Sequence, residues 1–166
     1  MESFEVLERL RRQPAPVPAP DSAEERLALE GFKAFFSSFQ PDRVDRLLPA
    51  TYAEDVYFND TLKTVRGREA LARYLRESAA AVEDCRVEVI EASRIRPGEF
   101  WLRWQMMIRF RRFARGRDTF SIGASHLRFD AAGKVAYQQD YWNAAEGLFR
   151  HIPLLGWMIT AIQRRL

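Results

Sequence analysis

Asp140 is the residue of this sequence best suited to chemistry, because a carboxyl group can both donate and accept a proton. It lies in the segment 135–142, whose alternating residue types predict a strand. Side chains on a strand alternate between two faces, so Gln138, Asp140 and Trp142 point to one side. An acid beside an indole ring on one strand face indicates either a polar sheet edge or the wall of a ligand pocket.

Other residues that could act as nucleophiles or metal ligands are isolated. Ser125 has no evident base beside it, and His126 has the opposite strand parity, which favours an outer-face role for the histidine. His151 has no companion at metal-ligand spacing. The sequence also lacks a glycine-rich phosphate loop. We therefore expect neither a metal ion nor a cofactor.

The composition is that of a single globular domain, with 166 residues, 47% hydrophobic and 30% charged. Cys85 is the only cysteine, which excludes an internal disulfide and fits a reducing compartment. The first residues lack the basic start and apolar run of a signal peptide. No apolar run approaches the ~20 residues that span a bilayer. The sequence predicts a cytoplasmic location.

The net charge of +3 is carried mainly by arginine, with one dense cluster around a predicted hairpin turn at Gly116. A basic hairpin can meet nucleic acid or anionic lipid. No nucleic-acid motif accompanies the cluster, so we predict a solvated hairpin and no nucleic-acid partner. The clustered residues are Arg109, Arg111, Arg112, Arg115 and Arg117.

Helices are predicted to precede strands along the chain. Apolar spacing predicts a helix over residues 4–13, and a stiff, proline-rich linker follows over residues 14–20. Ser22 with Glu25 resembles a capping box that opens the next helix. A short helix beginning at Pro41 and a longer one over residues 68–82 complete this set.

Strand alternation dominates the second half, where apolar and polar residues exchange at every position. The clearest case places Leu102 and Trp104 on one face and Arg103 and Gln105 on the other. Helices followed by a strand meander predict an α+β fold, with the helices packed on one sheet face. The predicted strands are residues 56–60, 85–96, 100–112, 119–129 and 135–142.

The tail after residue 142 predicts further helix. Asn143 with Glu146 suits a capped turn, and Pro153 suits the first turn of the last helix. That amphipathic helix either packs on its own domain, with Met158 or Ile159 and Ile162 on the packed face, or acts as a lid, membrane contact or dimer contact. We divide the chain into residues 1–20, a central domain over 21–142, and the tail over 143–166.

Two segments carry a resemblance to a known superfamily. YAEDVYFNDTLKTVRGREALARYL resembles the first strand and third helix of the nuclear transport factor 2-like superfamily, and HLRFDAAGKVAYQQDYW resembles its last two strands. Together with the first helix of the superfamily, the resemblance covers residues 22–142. It implies a curved antiparallel sheet wrapped around helices into a cone with a deep apolar pocket. The superfamily holds isomerases, cyclases, epoxide hydrolases and non-enzymatic binding modules.

The ketosteroid isomerase branch of this superfamily is matched only in part. Asp60 occupies the place of its general base. Its oxyanion-hole tyrosine corresponds to Phe35 and Phe36, and its second donor, a protonated aspartate, corresponds to Ser125. Enolate formation needs strong donors aimed at the developing charge, and phenylalanine donates nothing. Steroid isomerase chemistry is therefore not expected.

Polyketide-cyclase-like relatives are more similar, because they use an aspartate near the end of the last strand, the place of Asp140. The epoxide hydrolase branch uses two pocket aspartates bridged by an arginine, but Arg103 alternates onto the outer face. The resemblance implies that Asp60 and Asp140 both face the pocket, with raised and split proton affinities. The implied substrate-binding residues are Phe36, Trp104, Ser125, Gln138 and Trp142.

Each aspartate also has a structural alternative. Asp60 could cap its own loop through backbone N–H groups, as aspartate commonly does. Asp140 could instead bond the start of the helix that follows Asn143. The choice between these roles depends on whether the two carboxylates converge in one enclosed pocket.

Two functions follow from this sequence. The first is a cofactor-independent acid–base isomerase, cyclase or hydrolase, in which Asp140 and Asp60 act on a small, apolar, oxygenated molecule. The alternative is a non-catalytic ligand-binding or assembly module, forming a homodimer through the open sheet face with Arg103, Gln105 and Met107. A third possibility rests the arginine-rich hairpin and residues 154–166 on an anionic membrane.

Overall fold

A computed structural model describes residues 2–13, 16–112, 116–152 and 155–163 of the chain. The predicted Pro153 and the cluster residue Arg115 lie outside these ranges. The helices are α1 (Glu2–Arg12), α2 (Ala23–Phe36), α3 (Pro41–Thr51), α4 (Arg68–Ala80), α5 (Ala144–Gly147) and α6 (Leu155–Gln163). The strands are β1 (Tyr52–Asn59), β2 (Thr64–Arg66), β3 (Val82–Arg96), β4 (Glu99–Phe110), β5 (Asp118–Phe129) and β6 (Val135–Trp142).

The strands form one six-stranded sheet in the order β2-β1-β6-β5-β4-β3. Neighbouring strands are antiparallel except β1 and β6, which run parallel, so the sheet is mixed. The parallel pair places the first strand, β1, beside the last strand, β6. The α+β class is confirmed, and the short strand β2 is an addition to the sequence prediction.

Helices α2, α3 and α4 cover one face of the sheet, which we call the inner face. Their apolar side chains share the main core with alternate residues of the strands, such as Phe58, Leu102 and Leu127. Helix α1 lies on the opposite, outer face. There Val6 and Leu7 pack against Tyr57 and Tyr137 in a separate small core.

The start of α2 has the predicted cap, with one difference. The Ser22 hydroxyl accepts a hydrogen bond from the Glu25 N–H at 3.1 Å. The Glu25 carboxylate accepts from the N–H of Asp21, one residue before the cap, rather than from Ser22 itself. Glu25 is buried and also receives the guanidinium of Arg94 at 2.9 Å.

The tail begins as predicted, because the Asn143 side chain accepts from the Glu146 N–H at 3.3 Å and opens α5. In α6, Trp157, Met158 and Ile162 are exposed. The packed face predicted for Met158 and Ile162 is therefore not observed. Within the described ranges, no helix is long and apolar enough to cross a membrane.

Candidate functional site

A cavity of about 130 Å³ lies between helices α2 and α4 and the inner face of the sheet. Most of its wall is apolar, and its polar groups come mainly from α4, β5, β6 and the loop after β1. The wall includes all the residues that the sequence marked as catalytic or substrate-binding. They are Phe36, Asp60, Trp104, Ser125, Gln138, Asp140 and Trp142.

Asp140 is held by two neutral donors. It lies directly opposite Ser125 in the pairing of β5 with β6, and the Ser125 hydroxyl donates to its Oδ1 at 2.6 Å. The Gln138 amide, two residues earlier on the same strand face, donates to both carboxylate oxygens at 2.9 and 3.1 Å. These partners lie in the sheet, so Asp140 does not cap the helix after Asn143.

A second layer of side chains fixes both donors. Trp104 donates its indole N–H to the Ser125 oxygen at 2.9 Å, which leaves the serine proton free to point at Asp140. Tyr52 donates to the Gln138 carbonyl oxygen at 2.7 Å, so the amide nitrogen faces the carboxylate. Gly123 makes room for Trp104, because a Cβ at that position would lie 2.4 Å from the indole ring.

The electrostatics of this arrangement favour a protonated carboxyl. Burial disfavours the charged form and, together with the nearby charge of Asp60, raises the pKa of Asp140 to about 7. The hydrogen bonds from Ser125 and Gln138 act in the opposite direction and limit the rise. Asp140 therefore exchanges its proton near neutral pH.

Asp60 both caps its own loop and lines the cavity. Its Oδ1 accepts from the backbone N–H groups of Leu62 and Lys63 at 3.0 and 2.9 Å, so it caps its own loop. The same residue lines the cavity, and its Oδ2 accepts from the Tyr74 hydroxyl at 2.5 Å. Trp142 binds the loop to β6 by donating its indole N–H to the Asp60 carbonyl oxygen at 2.7 Å.

Tyr74 and Tyr52 are site residues that the sequence did not reveal. Tyr74 projects from α4 into the cavity wall, and burial together with its bond to Asp60 holds the pKa of its hydroxyl well above the ordinary value. Tyr52 is completely buried at the start of β1. A signal for Tyr74 exists in its helical phase, since it shares the inner side of α4 with Leu71 and Leu75.

The two other predicted polar residues lie on the outer face. Arg103 lies 3.6 Å from Glu91 in an exposed ion pair, so it does not bridge the two aspartates. His126 is buried beneath α1 and lies 2.7 Å from Glu99. Among the described residues, no group of three or more histidine, cysteine, aspartate or glutamate side chains could hold a metal ion.

Comparison with known proteins gives the family. Residues 32–138, more than half of the chain, match the SnoaL-like domain, and the chain belongs to that family. No curated protein matches the sequence significantly. This family match bears out the resemblance predicted from the sequence, and solved neighbours share the fold.

Three solved structures illustrate this likeness of fold. A hypothetical protein from Catenulispora acidiphila, with a ketosteroid isomerase-like fold and in complex with trimethylamine, is 17% identical with a TM-score of 0.62, over 79% of this chain and 92% of that one. An M. tuberculosis LEH-like epoxide hydrolase is 15% identical with a TM-score of 0.61, over 87% and 99%. A putative isomerase of the SnoaL-like family from Agrobacterium tumefaciens is 12% identical with a TM-score of 0.58, over 74% and 99%.

Proposed function

We propose that this protein binds a small, largely apolar molecule in the cavity and catalyses an acid–base reaction on it. Asp140 is the residue that transfers the proton. The observation that carries the proposal is a cavity-lining carboxyl group held by Ser125 and Gln138, with a pKa raised to about 7 by burial. A general acid or base is most efficient when its pKa lies near the working pH.

The other site residues have separate proposed tasks. Ser125 and Gln138 orient Asp140, and Trp104 orients Ser125. Phe36 and Trp142 supply apolar contact surface for the ligand.

Asp60, with the Tyr74 hydroxyl on its Oδ2, forms a second proton-transfer site on the same wall. The reaction class is isomerisation, cyclisation or hydrolysis. The neighbours described as an epoxide hydrolase and a putative isomerase support a small-molecule substrate.

The test uses two simple substrates, styrene oxide for hydrolysis and β,γ-cyclohexenone for isomerisation. Asp140→Asn should lower the rate of the accepted substrate by about 100-fold or more, because general acid–base catalysis contributes that much. The matched control is Asp55→Asn, an exposed aspartate on β1. Equal turnover by the wild type and Asp140→Asn would remove Asp140 from the mechanism.

A specific observation favours a second candidate, a non-catalytic dimeric binding module. Phe120 and Ile122 are each 71% exposed on the outer face of β5, opposite Met107 and Gln105 of β4. Large apolar residues exposed together commonly mark a protein interface. We expect a homodimer by light scattering at micromolar concentration, converted to a monomer by Ile122→Glu.

Ligand binding without turnover would favour the non-catalytic binding module over the enzyme. The neutral probe trifluorotoluene, followed by fluorine NMR, should bind the cavity whichever candidate is correct. If it binds while neither substrate reacts, the catalytic proposal fails and the binding proposal stands. The cytoplasmic location remains the prediction made from the sequence.

A further inference from the structure

The described residues of the cavity wall include acidic side chains but no basic side chain. Two of its lining residues, Asp60 and Asp140, are carboxylates. None of the described residues that line it is a lysine, an arginine or a histidine. Lys63 lies near the cavity but does not line it. Its side chain is exposed, with the ammonium group 5.0 Å from the centre of the Tyr74 ring. An occupant therefore meets negative charge without competing positive charge in the wall.

Among the described residues, Asp140 differs from the buried carboxylates because no basic side chain contacts it. The fully buried carboxylates Glu25 and Glu99 each bind at least one arginine, Arg94 and Arg11 respectively. The hydrogen-bond donors on Asp140 are instead the neutral Ser125 and Gln138. A nearby opposite charge favours the ionised form of a carboxylate. Asp140 lines the cavity, so a cationic group of a bound ligand can supply that charge.

Aromatic rings make up much of the remaining wall. Such rings attract a cation through their negative faces when it lies within about 6 Å of the ring centre, and trimethylammonium groups are favoured ligands. An anion or a neutral polar group would gain neither this attraction nor a counter-ion. The rings include Phe32, Phe36, Phe58, Tyr74, Trp104 and Trp142.

We infer that the ligand of this cavity is an organic cation, an apolar molecule that carries a protonated or quaternary amine. The ammonium group lies against Asp140 and Asp60, and its apolar part lies against the aromatic wall. The inference rests on the proposed function, because it assumes that the cavity holds a small molecule. It names the charge of that molecule, which the proposed function leaves open.

A matched pair of probes separates charge from shape. Choline and 3,3-dimethyl-1-butanol have the same shape and the same hydroxyl group, but the first bears a trimethylammonium group and the second a neutral tert-butyl group. Calorimetric titration of the wild type should give an affinity for choline about tenfold higher or more. Asp140→Asn should reduce this preference to about threefold or less, and Asp55→Asn should preserve it.

A second measurement needs no variant. Choline should bind more tightly as the pH rises from about 5.5 to 8.5, because the cation prefers the ionised form of Asp140 and displaces its proton. The affinity for the butanol should stay constant. The titratable groups that line the cavity with Asp140 are Asp60, Tyr74 and Cys85, and Tyr52 lies behind Gln138.

Each outcome decides the matter. Equal or tighter binding of the butanol, or binding of neither probe, overturns the cationic ligand. A preference for choline that is unchanged in Asp140→Asn and independent of pH would overturn the assigned site. The trifluorotoluene experiment is separate: if that probe binds while choline does not, the cavity remains a ligand site and only the inference about charge fails.

Discussion

The two faces of the sheet each hold a buried or partly buried carboxylate, and the two differ in their partners. On the outer face, Glu99 is completely buried beneath α1 and contacts Arg11, His126 and Arg128. On the inner face, Asp140 contacts Ser125 and Gln138.

Burial acts in the same direction on both groups, but the outcome is opposite. Burial alone would raise the pKa of Glu99, yet hydrogen bonds from His126 and Arg11 lower it to about 2. Burial raises the pKa of Asp140 to about 7 because its neutral donors compensate only in part. The comparison shows that counter-ions, more than depth, separate a structural carboxylate from one able to exchange a proton near neutral pH.

Glu99→Gln should give the largest loss of stability. The substitution leaves Arg11 and Arg128 beneath α1 without a buried counter-ion, and breaking such a group costs about 3 to 5 kcal/mol. The measurement is the free energy of unfolding in urea at neutral pH. Glu91→Gln, in the exposed pair with Arg103, is the control and should cost less than about 1 kcal/mol. Equal losses in both variants would show that the Glu99 cluster does not hold α1.

Asp140→Asn should instead stabilise the protein near neutral pH. Between about pH 4 and 7 the unfolded chain releases the Asp140 proton while the folded chain retains it, so wild-type stability falls as the pH rises. The free energy of unfolding falls by at most about 1.4 kcal/mol per pH unit. Because Asp140 is partly exposed, we expect a total decrease of about 2 kcal/mol. Stability curves of the wild type and Asp140→Asn should therefore diverge across this range.

The pH dependence at Glu99 has the opposite sign. Its folded pKa lies below the ordinary value, so its stabilisation is complete above about pH 4.5 and is lost as the pH falls towards 2. Acid unfolding of the wild type should be steeper than that of Glu99→Gln in this lower range. Parallel curves for the two proteins would contradict the assigned ion cluster.

Ser125→Ala should raise the pKa of Asp140 by about 1 unit, because it removes a donor to the charged form. The shift is measurable by carbon NMR of the Asp140 carboxyl group. Ser121→Ala is a matched control on the same face of β5, since the Ser121 hydroxyl has only long bonds, of 3.4 and 3.5 Å, to backbone carbonyls. An unchanged pKa of Asp140 in Ser125→Ala would contradict the proposal that Ser125 orients the Asp140 carboxyl group.

Tyr74→Phe should have the smallest effect. It removes one hydrogen bond to Asp60, which the backbone N–H groups of Leu62 and Lys63 still hold. We expect a loss of about 0.5 to 1.5 kcal/mol in the free energy of unfolding. A loss above about 3 kcal/mol would show that Tyr74, rather than the loop backbone, fixes Asp60.

The sequence anticipated the parts of the site that depend on strand alternation. A period of two was enough to place Gln138, Asp140 and Trp142 on one face and His126 on the other. The same rule predicted that the Arg103 side chain lies on the outer face, away from the cavity. Tyr52 was missed because its contact with Gln138 spans 86 residues and depends on the parallel pairing of β1 with β6.

The contacts of Glu99 on the outer face could not be predicted from the sequence either. Arg11 and Glu99 are 88 residues apart, and nothing in a local pattern shows that α1 crosses to the outer face. A short helix with apolar residues on one side is compatible with either sheet face. The sequence also left open whether the apolar side of α6 packs on the domain, because periodicity identifies an apolar side but not whether anything covers it. In the structure Met158 and Ile162 are exposed.

The sequence by itself determined the order of the main helices and strands and the side of each strand residue. These properties follow from local backbone periodicity, which a short segment carries alone. The expectation that Asp60 and Asp140 line a cavity came from the resemblance to a known superfamily. Only the tertiary structure decided that Glu99 has arginine partners, whereas no cationic side chain contacts Asp140 in the part of the chain that the structure describes. A pKa depends on charges and burial supplied by residues distant in the chain, so the chemistry of the two acids is a property of the folded molecule.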